Sequence, residues 1–235
     1  MAGPTTFQSA PVREAWDETP TLRAIRLALP AELAPAHRRP GQLVKVHTAI
    51  GEGFFALASA PDPAGLAELL VKRGGRVADA AIAGAVPGGA LALSPPFGDG
   101  FPVDEADGRD LLLFAAGSGI APIRSVIQHL LEERGRCRRI TLFYGQRHGG
   151  DFAYRAEHPA WERGGVRVVL CPSRADDLWE GFRGRVQEVA RSMAFGGSPP
   201  AETVAFVAGM AAMVEDVRRT LAEAGMPPER LFLNH

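Results

Sequence analysis

The sequence has only two cysteines, Cys137 and Cys171, in 235 residues. Two scattered thiols exclude a cysteine-ligated iron–sulfur cluster, which needs about four thiolates. They also fit a reduced, cytoplasmic protein better than a disulfide framework. Neither charge is in excess: 26 Lys and Arg stand against 27 Asp and Glu, a formal net charge of −1. That balance gives no reason to expect nucleic acid or a membrane surface as a partner. No apolar run approaches the roughly 18 residues that span a bilayer. Residues 1–10 lack the basic-then-apolar order of a secretory signal, and no metal site is assigned.

What is present divides into two rhythms. The first hundred residues are rich in Gly and Pro and carry short alternating runs: Ile25, Leu27 and Leu29; Val44 and Val46; Leu91 and Leu93. Period-two spacing predicts half-buried antiparallel strands, with others over 54–58 and 66–72 and a short helix over 77–83. Several such strands point to a barrel or sandwich. The second half alternates fully apolar strands (110–116, 140–144, 166–171, 203–208 and 231–233) with helices (122–134, 185–193 and 213–224). That pattern predicts a parallel sheet covered on both faces, a doubly wound α/β domain. The polar stretch 102–109 marks the junction, giving domains 1–103 and 104–235, and 194–201 reads as a flexible loop.

Between the first parallel strand and its helix lies Gly117-Ser118-Gly119-Ile120-Ala121-Pro122. Glycine lets a backbone approach a phosphate, the helix N-terminus offers free N–H groups, and Pro122 suits a first helical turn. Proline stands where a full Gly-x-Gly-x-x-Gly fingerprint has its third glycine. Alone, the segment also fits a tight turn without a ligand.

This segment resembles the nicotinamide-binding motif of the ferredoxin–NADP reductase superfamily, and six others agree with it in order. Pro40-Gly41-Gln42-Leu43-Val44 resembles the early barrel signature. Phe55-Ala56-Leu57-Ala58-Ser59-Ala60-Pro61 resembles the flavin-binding strand, and Val71-Lys72-Arg73-Gly74-Gly75-Arg76-Val77 the segment that meets flavin phosphates. Residues 94–101 resemble the barrel exit, and Tyr144-Gly145-Gln146-Arg147 the end of the second parallel strand. Val207-Ala208-Gly209-Met210 resembles the motif beside the nicotinamide ring. The likeness runs from about residue 8 to the C-terminus and is nearest to a short branch without an attached ferredoxin domain. It implies an N-terminal antiparallel flavin-binding barrel followed by an NAD(P)-binding domain. FAD or FMN would lie on Phe55, Ala56, Leu57, Ser59, Val71, Lys72, Gly74, Gly75, Arg76 and Val77. NAD(P)H would lie on Gly117, Ser118, Gly119, Ile120, Pro122, Gly209 and Met210. The implied activity is hydride transfer from NAD(P)H to flavin, with electrons passed to a separate acceptor, a protein or a small molecule.

Three positions depart from the pattern. The flavin strand of the family usually reads Arg-x-Tyr-Ser/Thr; here Gly53, Phe54, Phe55 and Ala56 stand there, without the phosphate-pairing arginine or the hydroxyl near flavin N5. A cysteine usually precedes the glycine of the last motif; here it is Ala208. Arg73 and Arg76 could supply a phosphate site or simply an exposed turn. Ser59 could stand in for the hydroxyl or cap a turn, and His47 could face the flavin or solvent. No acidic residue follows Tyr144 until Asp151, whereas Arg147, Ser173 and Arg174 follow the second and third strands. Arginine suits a 2′-phosphate, so NADP(H) is expected over NAD(H). His235 could approach the flavin ring as the catalytic group or fray. Cys171 is expected to point toward the ligand crevice. Two alternatives stand beside the enzyme: a degenerate, non-catalytic nucleotide- or partner-binding member of the fold, and an electron-transfer subunit of a larger complex.

Overall fold

The alternating first half forms a six-stranded antiparallel sheet in the computed structural model, which describes residues 6–133 and 135–234. Its strands are β1 (Gln8–Thr19), β2 (Leu22–Ala28), β3 (Leu43–Thr48), β4 (Gly51–Ala56), β5 (Leu66–Lys72) and β6 (Ala90–Leu93). They lie in the order β4-β3-β6-β1-β2-β5. The two ends meet at a Leu57–Leu69 bridge, and Ala58 N donates to Glu68 O at 2.7 Å, so the sheet curls into a barrel. Ile25, Leu27, Val44, Val46, Leu69 and Val71 fill its interior, and helix α1 (Arg76–Gly84) adds Ala81, with Ala85 just past its end, to that core. Gly51–Ala56 itself forms no ladder with β5, which leaves the barrel wall parted there.

The second half is a parallel sheet with crossover helices: β7 (Asp110–Ala116), α2 (Ile120–Glu132), β8 (Arg139–Gln146), α3 (His158–Arg163), β9 (Val166–Pro172), α4 (Val186–Ser192), β10 (Val204–Ala208), α5 (Ala211–Glu223) and β11 (Leu231–Leu233). The order β11-β10-β7-β8-β9 reverses between β7 and β10, which opens a crevice at their carboxyl ends. Pleating divides β7: Leu111, Leu113 and Ala115 pack under α2, while Leu112 and Phe114 face α4 and α5. The sheet is doubly wound, as its fully apolar strands imply.

The first core cluster crosses between the halves. Leu22, Ala24, Ala58 and Leu70 on the outer barrel wall pack with Ile120, Ala121 and Ile123, and the Phe101 and Phe206 rings stack at 4.8 Å.

Several expectations need correction. The first strand, β1, has little apolar alternation because only three of its 12 residues, Ala10, Val12 and Thr19, are buried, and the sequence reading missed it. Helix α3 was missed too; it is six residues long and its one large buried side chain is Trp161. The strand expected over 54–58 is shifted to Gly51–Ala56. The loop expected over 194–201 is two short 3-10 turns pinned by buried Phe195, Ser198 and Pro200.

Phe101 is fully buried and touches both halves, so Phe101→Ala is expected to lower unfolding free energy by about 3–5 kcal/mol. Urea denaturation measures this; a loss under about 1 kcal/mol would mean that the two halves do not share a core.

Candidate functional site

The crevice at the ends of β7 and β10 is shaped by two glycines with different tasks. Gly117 has φ +59°, and a Cβ there would meet nothing within 4 Å, so the glycine serves the left-handed turn and leaves open space above it. Gly119 has ordinary φ, but a Cβ would lie 2.3 Å from Ala208 O. Its bareness lets the turn seat against β10. Ile120 then starts α2, and no side chain caps that end. Free N–H groups and a positive dipole end therefore face the opening, an anion cradle. Gly209 and Met210 are exposed beside it; Met210 precedes the first residue of α5. Tyr144 braces the turn from below. Its hydroxyl donates to Gly117 O at 3.4 Å and accepts from Ala153 N and Gln146 Nε2, and burial pushes its pKa up.

The same helix holds the barrel. Arg124 Nη1 donates to Ala58 O at 2.8 Å, Ser125 Oγ donates to Ser59 O at 2.8 Å and accepts from Gly41 N, and Gln128 Oε1 accepts from Ala60 N at 3.0 Å. Arg124 also grips Glu157 through Nε and Nη2 (2.7–3.0 Å), lies 3.2 Å from Glu68 Oε1 and covers the Tyr154 ring at 4.3 Å. Burial raises the Glu68 pKa, and Arg124 opposes that rise. Tyr154 holds φ +59° and its N–H donates to Glu18 Oε2 at 2.6 Å. Sequence reading missed this seam. Its available signal was a charged residue, Arg124, within a helical stretch buried from Ile120 to Ile127.

On the barrel side, β5 abuts the Gly117–Gly119 turn, so the parted wall between β4 and β5 opens onto the same crevice. Gly53 and Phe55 share a face of β4. A Cβ at Gly53 would lie 3.0 Å from the Phe55 ring and 3.0 Å from Val77 Cγ1, so apolar contacts fill the place of the family's arginine. Phe55 is half-buried. Gly74 and Gly75 are exposed and lead into α1, whose N-terminal Gly75 makes no side-chain cap. Asp79 Oδ1 already accepts from Gly74 N at 2.9 Å, and Asp17 binds Arg73 at 2.6 Å. Among the described residues, Arg76 makes no ion pair. Arg76 and the uncapped α1 N-terminus are thus the groups of this turn left to receive an anion. Val71 and Leu57 are buried in the barrel core, and Lys72 is exposed. Ser59 accepts Glu68 N at 3.0 Å and serves the chain's turn into β5. His47 lies on the opposite face of β3 from Val46, 3.7 Å from Glu52 and away from the Phe55 face.

At the far rim, Arg147 and Arg174 meet in register: Ser173 N donates to Gln146 O and Arg174 N to Arg147 O. His148 Nδ1 bonds Arg174 O at 3.0 Å. Ser173 Oγ donates back to Gln146 O at 3.3 Å. Cys171 does not point into the crevice. It is buried with Val186 and Val189, and burial pushes its pKa up to about 12. Alternation along β9 turns it under α4. His235 lies outside the described residues.

A family described as the oxidoreductase NAD-binding domain matches residues 113–219. The gamma subunit of sulfhydrogenase 1 from Pyrococcus furiosus is 32% identical over 200 residues, covering 83% of this chain and 67% of that protein. The chain belongs to the ferredoxin–NADP reductase superfamily. The reductase component of phenol 2-monooxygenase from Pseudomonas sp. is 31% identical over 187 residues, covering 75% of this chain and 51% of that protein. The chain thus spans half to two thirds of the length of these relatives. A ferredoxin NADP+ reductase from Neisseria gonorrhoeae, solved with FAD and NADP, superposes over 98% of both chains with a TM-score of 0.83 at 21% identity. The protein is an oxidoreductase with the NAD-binding domain of that family.

The two glycines of the turn predict different mutants. Gly119→Ala is expected to destabilise by several kcal/mol, because the added carbon meets backbone. Gly117→Ala is expected to cost only about 1–2 kcal/mol of left-handed strain while weakening dinucleotide binding. Thermal unfolding and nucleotide titration separate them; equal stability losses would contradict the assignment.

Proposed function

We propose that this protein takes hydride from NADPH onto a bound FAD and releases the electrons to a separate protein acceptor. The observation that carries the reading is an adjacency: β5, which closes the barrel against the exit of β4, abuts the Gly117–Gly119 turn. The flavin supplies the two-electron to one-electron conversion; the chain's residues bind, orient and shield.

In this reading Phe55 and Ala56 lie under the flavin ring, and Arg76 with the Gly74–Gly75 turn and Val77 takes a phosphate. Gly117, Ser118 and Gly119 present N–H groups to the dinucleotide pyrophosphate; Ile120 N–H turns back to the carbonyls of Gly117 and Ser118 and holds the turn's shape, and Pro122 lends its ring to the first turn of α2. Gly209 and Met210 lie beside the nicotinamide. Arg147 and Arg174, paired in register and each without an ion pair among the described residues, support a 2′-phosphate site and hence NADPH. Ser173 contributes by holding that rim rather than through a free hydroxyl. With Ala56 in place of a hydroxyl and Ala208 in place of a thiol, orientation falls to the backbone and apolar walls. The division at residues 103 and 104 and a cytoplasmic setting belong to the same proposal; Cys137 and Cys171 are both unpaired thiols. No observation favours the non-catalytic alternative.

Protein reconstituted with FAD is expected to show a flavin spectrum that bleaches with NADPH in the absence of oxygen. Arg174→Ala is expected to weaken NADPH binding by about tenfold, roughly the worth of one charge-assisted contact, and leave NADH within about twofold. Equal losses for both nucleotides would rule out the 2′-phosphate contact, and a colourless protein in excess FAD would rule out the enzyme.

A further inference from the structure

Helix α2 belongs to both half-sites. Its first residue follows the dinucleotide turn, and its second turn carries Arg124, whose side chain is 5% exposed. We propose that Arg124 is a positioning residue for hydride transfer: it fixes the end of flavin strand β4 relative to the dinucleotide turn and transmits occupancy of the turn to that strand. The proposal rests on the flavin–NAD(P)H reading above.

Three segments converge on one planar group. Nη1 holds Ala58 O at 2.8 Å, two residues beyond Ala56. Nε and Nη2 hold both oxygens of Glu157, in the segment after β8. Glu68 on β5 lies 3.2 Å away, and the Tyr154 ring stacks beneath at 4.3 Å. A guanidinium is a rigid fork, so these contacts fix its plane as well as its position. Ser125 and Gln128 each join α2 to the barrel as well, but neither reaches β5 or the Glu157 segment. A shift of the turn on binding a nucleotide therefore passes through Arg124 to Ala58 within one side chain. Arg124 lies behind the crevice and touches neither phosphate cradle, so its removal should alter alignment more than binding.

The test uses the whole chain. Arg124→Gln and Glu157→Gln are compared with wild type for FAD content, NADP+ affinity and the anaerobic rate of flavin bleaching at saturating NADPH. In FAD-free protein, exchange of the Ala58 amide is followed with and without NADP+, apart from that of Ala60, which Gln128 holds. For Arg124→Gln the bleaching rate should fall about ten- to hundredfold, the cost of a misplaced reacting pair, with FAD content unchanged and NADP+ affinity within about twofold. NADP+ should slow exchange at Ala58 in wild type and not in the variant. Glu157→Gln, which loosens the grip but keeps the Ala58 contact, should show a smaller fall in the same direction. An unchanged bleaching rate in folded Arg124→Gln would overturn the proposal, as would NADP+ protection that persists in it. If Arg124→Gln does not fold, an unchanged rate in Glu157→Gln overturns it. A wild type whose FAD is not bleached would instead overturn the functional reading, and the exchange arm would still decide the role of Arg124.

Discussion

Helix α2 cannot move without moving both walls of the crevice. Its N-terminus is pressed by Gly119 against Ala208 at the end of β10, and its buried face is bonded through Arg124, Ser125 and Gln128 to three consecutive residues at the exit of β4. Buried charge makes this seam demanding. Glu68 and Arg124 are 3% and 5% exposed, and either left alone would be an uncompensated charge in a poorly solvated place, a loss of about 3–5 kcal/mol. The seam therefore specifies one relative placement of barrel and sheet.

That placement explains how the fold tolerates three lost motif residues. The arginine missing at Gly53 leaves a space that Phe55 and Val77 fill with apolar contact, and Arg76 stands just before Val77 at the start of α1. The missing hydroxyl and thiol fall at Ala56, which is half-buried, and Ala208, which packs into the core beside α2. What remains is geometric: a glycine turn with open space above it, an uncapped helix end and a parted barrel wall. Binding and alignment depend on backbone there, and backbone is held by the seam.

The architecture was legible because each half has its own periodicity. The apolar run 111–116, too short for a helix and followed by a glycine turn, reads as a strand buried on both faces, and that strand lies as expected at Asp110–Ala116. The glycine turn was legible for a similar reason, since Gly-x-Gly between strand and helix leaves few conformations open. The seam was not legible. Arg124, Glu157, Glu68 and Glu18 are far apart in sequence and look like ordinary surface charges until tertiary packing joins them. Cys171 shows the limit of the strand-end rule: its position along β9 is right, but alternation turns the thiol under α4. Strand β1 escaped because its long, half-exposed course carries charges on most outward positions.

The central claim is spatial, and a crystal structure of the protein grown with FAD and NADP+ tests it most directly. The account predicts the flavin ring against Phe55 in the β4–β5 gap, with the Phe55 ring lifted from Gly53, and the dinucleotide pyrophosphate on the N–H groups of Gly117–Gly119. Flavin bound elsewhere on the barrel, or a pyrophosphate away from that turn, would contradict it.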